Sequence, residues 1–176
     1  MNNPRPATSA AAGLSGGAAS IDITPELGMP LAGSSTFRPA KLLLDPLRAK
    51  ALALDDGTRR VAILTADLIG FERAFTANLR QRAQAELKID HLVCNGSHTH
   101  SGPECRHIFI PVGEPGVAAL SEAYFKRLEA SLMQLLRDAV GKLEPVTIAF
   151  GIGSAHFGIN RRRREGNQTH FLPNPK

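Results

Sequence analysis

The densest group of chemically capable side chains is Asn95-Gly96-Ser97-His98-Thr99-His100-Ser101-Gly102-Pro103, directly after the short apolar run Leu92-Val93-Cys94. Such a run reads as a strand, and α/β sheets gather their ligands at the carboxyl ends of strands. In an extended segment His98 and His100 project to one face, because side chains alternate with period two. Two imidazoles on one face can ligate a metal together. They can also divide the work, one as ligand and the other as acid/base, since imidazole titrates near neutrality. Ser101 beside them offers a third chemistry, a nucleophile with a histidine base. His-x-His also occurs as an ordinary surface pair, but the Gly, Ser, Thr and Pro around this one, at a strand end, favour function.

The second candidate is Phe157-Gly158-Ile159-Asn160-Arg161-Arg162-Arg163-Arg164. An arginine's planar fork suits a carboxylate, an oxyanion or a phosphate. The 176 residues carry 21 basic and 16 acidic side chains, a net charge of +5, and this run supplies most of the surplus. Arg162 to Arg164 read as a solvated basic face. Four adjacent cations without interleaved aromatics leave only an electrostatic footprint, so a nucleic-acid partner is not favoured.

The elements that must position these residues are legible in outline. Met1 to about Gly17 reads as a flexible leader, with folding from Ala18. Ser20 to Thr24 alternates as a half-buried strand does, and Pro25 to Pro39 reads as a long loop. Leu47 to Leu54 and Arg60 to Asp67 flank Asp55-Asp56-Gly57, which marks a hairpin. Phe71, Ala74, Phe75, Leu79, Ala83 and Leu87 recur at helical spacing, Ile89 to Asn95 returns to a strand, and Val117 to Val140 forms a second amphipathic helix. A last strand spans Val146 to about Gly153, and Glu165 to Lys176 shows no periodicity. The alternation predicts an α/β fold: a mixed β-sheet with flanking helices, incomplete at the carboxyl end.

Composition sets outer limits. At 43% hydrophobic and 21% charged the chain is neither disordered nor fibrous, and no apolar run approaches the roughly 18 residues of a spanning helix. Met1 to Ser20 lacks a leucine-type core, so the sequence as written reads as cytoplasmic, or as secreted if the true start lies upstream. Cys94 and Cys105 set no disulfide framework. Cys94 reads as a buried reduced thiol.

In the segments around both motifs the sequence resembles the neutral/alkaline non-lysosomal ceramidase family, at the start of its catalytic domain. The matching pieces, in order, are Ala19-Ser20-Ile21-Asp22-Ile23-Thr24-Pro25 with Gly28 and Ala32-Gly33; Asp45-Pro46-Leu47 with Ala49 and Ala51; Asp67; His98-Thr99-His100-Ser101-Gly102-Pro103; Ile159-Asn160-Arg161; and Pro173-Asn174-Pro175. The resemblance covers 18–176, and it implies a zinc-dependent hydrolase that cleaves the N-acyl bond of ceramide, through a zinc-activated water, to sphingosine and a fatty acid. On that resemblance His98 is the metal ligand, with His100 and Arg161 as catalytic residues, His100 moving the proton and Arg161 stabilising the oxyanion. The partners implied are a ceramide-like lipid amide and a transient membrane surface.

The chain departs from the family at Glu104-Cys105-Arg106-His107, where glycines are usual. The family's remaining zinc ligands, another His, a Glu and a Tyr, match nothing before Lys176, so the ligand set is expected outside this chain and the chain alone is expected to be inactive. His91, His107, His156 and His170 read as ordinary residues, and Asp22 and Asp67 as satisfied strand-end carboxylates. The competing readings are a catalytically incomplete fragment, an interaction domain, or a related zinc amidohydrolase with a different substrate.

Overall fold

The computed structural model describes residues 7–9, 13–33, 38–104, 116–156, 158 and 160–171. Cys105, Arg106, His107, Phe157, Ile159 and the Pro173-Asn174-Pro175 motif lie outside the described residues. In chain order the elements are β1 (Ala7–Ser9), β2 (Ser15–Asp22), β3 (Arg48–Asp55), β4 (Arg60–Ala66), α1 (Arg73–Leu87), β5 (His91–Gly96), α2 (Val117–Val140), β6 (Glu144–Pro145), β7 (Ile148–Phe150), β8 (Arg162–Glu165) and β9 (Gln168–Phe171). The fold is α/β with a mixed sheet, as the alternation of elements predicts. Two compact units divide the chain: Ala10–Thr147, and Met1–Ser9 with Ile148–Lys176.

The first unit holds a five-stranded sheet in the order β5-β4-β3-β2-β6. β3 and β4 form the expected antiparallel hairpin. α1 is the crossover that makes β5 parallel to β4. Period-two alternation sorts the side chains. Ala49↔Ala66, Ala51↔Leu64 and Ala53↔Ala62 pair on one face, and all six are buried. The small alanines leave room for α2, whose Leu128, Leu132, Leu135 and Leu136 are buried in the same core, joined by Leu79 and Ala83 of α1. Fully burying a leucine contributes about 1.5–3 kcal/mol, so this stripe carries much of the unit's stability. On the opposite face Leu52↔Ile63 and Ile63↔Val93 line up across three strands and stay at least two-fifths exposed.

Four local expectations change. β2 starts at Ser15, so Gly16 and Gly17, assigned by composition to the leader, are buried sheet residues. A Cβ at Gly17 would stand 2.2 Å from the Ala139 carbonyl oxygen, and only glycine admits the end of α2 there. α1 starts at Arg73, after Phe71. The strand expected from Val146 to about Gly153 is shorter, Ile148–Phe150, and a separate two-residue strand precedes it. Glu144–Pro145 adds to the β2 edge, where a proline lacking an N–H is tolerated, and Ile148–Phe150 pairs with β1 in the second unit. Within the stretch that shows no periodicity, the described residues 165–171 complete a hairpin of β8 and β9 through Gly166, φ +60°, and Asn167, a Gly-Asn turn signal that the absence of periodicity concealed. Among the described residues no helix is long and apolar enough to cross a membrane.

Candidate functional site

Parallel pairing brings the ends of β4 and β5 side by side, with Thr65 opposite Asn95 and Ala66 opposite Gly96. Their exits then lean on each other. A Cβ at Gly96 would lie 2.9 Å from the Leu68 carbonyl oxygen, so this close approach requires glycine. The Ser97 N–H donates to Ala66 O at 3.0 Å, and the His98 N–H to Leu68 O at 3.0 Å. These bonds turn the chain at His98, whose φ is +62°.

The extended segment on which the same-face argument for His98 and His100 rests is therefore absent. Backbone in the left-handed region breaks the period-two alternation. The rings nevertheless meet, with centroids 5.2 Å apart and planes at 64°. The turn, and not the strand period, brings them together. A left-handed non-glycine residue costs energy that its surroundings must offset, and such residues cluster at functional sites.

His98 Nδ1 lies 2.9 Å from Ile69 O. A carbonyl only accepts, so Nδ1 carries the proton, and in the neutral ring the lone pair is on Nε2. Metal-bound imidazoles usually show this arrangement, the second nitrogen donating to a backbone carbonyl. His100 is seated by different neighbours. The Ala32 N–H donates to Gly102 O at 3.0 Å, Leu31 bridges to Pro103, and the Glu104 N–H donates to Pro30 O at 2.8 Å. This ladder sets Gly33, φ +78°, against the His100 ring, and a Cβ there would fall 2.3 Å from Cγ and Nδ1. The long loop after Pro25 is thus a frame for the histidine turn. It is anchored where the buried Tyr124 hydroxyl of α2 donates to Ile23 O at 2.7 Å and Thr24 Oγ1 accepts from the Leu47 N–H at 2.9 Å.

The strand-end carboxylates are engaged with backbone. Asp67 Oδ2 accepts from the Arg48 N–H at 3.0 Å. Hydrogen bonds from Thr24 hold the Asp22 carboxyl below the usual carboxylate range. Burial pushes the Cys94 thiol up, so it stays protonated and makes a poor ligand. Glu104, the first residue of the segment that departs from the family's glycines, is buried at 4% exposure. His91 and His156 are exposed, and His170 is half-buried in β9. No hydrogen bond among the described residues joins the Ser101 hydroxyl to either ring. A cavity of about 790 Å³ opens beside the turn, with Thr99, Ser101 and Gly102 on one wall and Leu27, Leu31, Leu42, Leu43, Leu44 and Leu47 among its other residues.

Arg161 belongs to the second unit, exposed, immediately before β8. The Arg162 N–H donates to Asn160 Oδ1 at 3.0 Å, a local turn that opens the hairpin. β8 then splits the arginine run by strand alternation: Arg163 pairs with Glu165 at 3.2 Å, while the Arg162 guanidinium lies over the Phe171 ring at 5.6 Å.

Two solved structures share the architecture. A neutral ceramidase from Pseudomonas aeruginosa superposes with a TM-score of 0.62 at 19% identity, over 75% of this chain and 22% of that chain. The fold is ceramidase-like. A ceramidase complexed with C2 gives the same TM-score of 0.62, identity of 19% and coverage of 75% and 22%. This chain therefore spans 22% of the length of the ceramidases it resembles. No protein-family model and no curated protein matches it.

On this ceramidase-like fold the candidate zinc ligand among the described residues is His98. His98 fits: its ring is oriented by Ile69 O and its Nε2 lone pair is left for a cation. Among the described residues no group of three or more His, Cys, Asp and Glu side chains is arranged to hold a metal. Sequence reasoning missed the Ile69 carbonyl, which carries no side-chain signal, and the role of Gly33, whose meaning depends on a ring 67 residues away in the chain, from 33 to 100.

Proposed function

We propose that this chain contributes the first part of a zinc-dependent amide hydrolase that cleaves the N-acyl bond of a ceramide-like lipid. The observation that carries the reading is the His98–His100 pair: one imidazole tethered at Nδ1 with Nε2 unpartnered among the described residues, the other 5.2 Å away, both where β4 and β5 end. The ceramidase-like fold and the adjacent apolar cavity support it.

In this reading His98 holds zinc through Nε2, together with ligands outside the described residues. Bound zinc supplies Lewis acidity, which polarises a carbonyl oxygen and makes a coordinated water acidic near pH 7. His100 accepts the proton of the attacking water on a ring nitrogen and returns it to the leaving amine nitrogen as the C–N bond breaks. Gly33 keeps the His100 ring at its post. Arg161 enters on the Ile159-Asn160-Arg161 motif, offering its guanidinium to the charge that develops on the carbonyl oxygen. Leu31 and Leu47, half-buried beside the turn, present an apolar wall to a hydrocarbon chain.

The test is zinc content and release of fatty acid from ceramide, measured on the polypeptide the reading frame encodes. His98→Ala should lower both at least tenfold, and His100→Ala should lower turnover with zinc retained. Full retention of both by His98→Ala would falsify the assignment. A second reading, a non-catalytic interaction domain, draws on the lack of a three-ligand group among the described residues. A folded wild-type protein that retains no zinc and releases no fatty acid would favour it.

A further inference from the structure

Leu42, Leu43 and Leu44 follow one another in a segment without regular structure, and they are 63%, 57% and 85% exposed. Leu27, 59% exposed, lines the same cavity. Soluble surfaces rarely keep three successive large apolar residues in water, and such patches mark interaction sites. The spacing says which kind. A protein groove reads one side of a segment, so its anchors recur at two, or at three and four. Three adjacent residues, each more than half exposed, point in different directions and suit a medium that is apolar on all sides. Hydrocarbon is such a medium. The charges nearby agree: Arg38 and Lys41 line the cavity with the leucines, against one carboxylate, Asp45. Cations at the base of an apolar loop suit the anionic headgroups that would surround it once the leucines had entered the acyl region.

We propose that the Lys41–Leu44 loop docks the protein on an anionic lipid surface, with the leucines inserted and Arg38 and Lys41 at the headgroups. The docking stands apart from the hydrolase reading and needs neither zinc nor catalysis. If that reading also holds, the orientation sets the mouth of the cavity toward the bilayer, with the histidine turn on its wall.

Co-sedimentation with vesicles of phosphatidylcholine and phosphatidylserine, and with phosphatidylcholine alone, tests it. The wild-type chain should bind the mixed vesicles, at least tenfold more weakly after L43E/L44E, several-fold more weakly after Lys41→Glu or in high salt, and unchanged after Leu52→Glu on the sheet face. The four leucines are more than half exposed, so the charged variants should keep the wild-type circular dichroism. The sequence contains no tryptophan. Leu44→Trp therefore introduces a unique reporter, and its emission should shift to the blue on the mixed vesicles. Absence of wild-type binding, equal binding by L43E/L44E, or an indole emission from the Leu44→Trp variant that stays unshifted in the sedimented complex overturns the proposal. So does self-association that L43E/L44E abolishes while vesicle binding is undetectable, since a second copy would then be the occupant.

Discussion

At the start of β4 the chain turns on bonds it makes with its immediate neighbours. Asp55 Oδ1 accepts from the Gly57 N–H at 2.8 Å, and Asp56 Oδ1 accepts from the N–H groups of Thr58 and Arg59 at 2.8 and 2.7 Å. At the other end of the sheet, beyond β5, the chain turns at His98 on bonds to partners about thirty and seventy residues away: Leu68 O, Ile69 O, and the 30–33 ladder that carries Gly33. Each turn contains a residue with positive φ, Gly57 at +85° and His98 at +62°. The first uses the residue type that adopts it freely. The second imposes it on a histidine, so the surrounding fold must supply what the local sequence does not. A turn built locally survives changes elsewhere, whereas a turn built from remote contacts can be tuned, or broken, from outside it.

The largest effect should come from the remote partner. Gly33→Ala puts a Cβ into the His100 ring and a side chain at φ +78°, and the two costs together should destabilise the protein by about 2–4 kcal/mol. The His100 ring resonances should move while those of His91 stay. A thermal midpoint and a spectrum equal to wild type would mean that the frame does not position the ring. The next effect separates backbone from side chain at His98. His98→Ala keeps the left-handed strain and loses the bond to Ile69 O, for about 1–2 kcal/mol in all, whereas His98→Gly should recover about 1 kcal/mol of that because glycine takes φ +62° without strain. Equal stability of the two variants would place the turn under local control, like the hairpin.

The smallest effect belongs to the hairpin and follows pH. Hydrogen bonds from Thr58 and Arg59 lower the Asp56 pKa from 3.8 to about 2. A depressed carboxylate stabilises the fold above its unfolded value and loses that contribution as pH falls through the folded one. Wild type should therefore melt above Asp56→Asn at pH 5, and the gap should close between pH 4 and pH 2. A gap that persists at pH 2 would show that the charge is not what matters there.

How much of this was readable in advance follows the same division. Asp-Gly between alternating runs marks its hairpin without help from the rest of the chain, and the helical stripe of α2 runs from Val117 to Val140 as its spacing predicts. The identity of the histidine pair was legible too, because Gly, Ser, Thr and Pro crowd the end of an apolar run. Its geometry was not. Period two put the rings on one face of an extended segment, whereas the chain turns at His98 and brings them together through φ +62°. The Gly-Asn hairpin of β8 and β9 was hidden for the opposite reason: its strands of four residues, mostly charged or polar, carry no apolar period to read.

The amino-acid sequence by itself determined the two helical stripes, the Asp55–Arg59 turn and the chemical types gathered after β5, because each depends on residues within a few positions of one another. Only the tertiary structure decided that Ile69 O fixes the His98 tautomer, that Gly33 bears on His100, and that three leucines stand in water beside the same turn. Those outcomes depend on which backbone atoms a parallel crossover and a long loop deliver to one place, and no side chain in either segment announces that arrival.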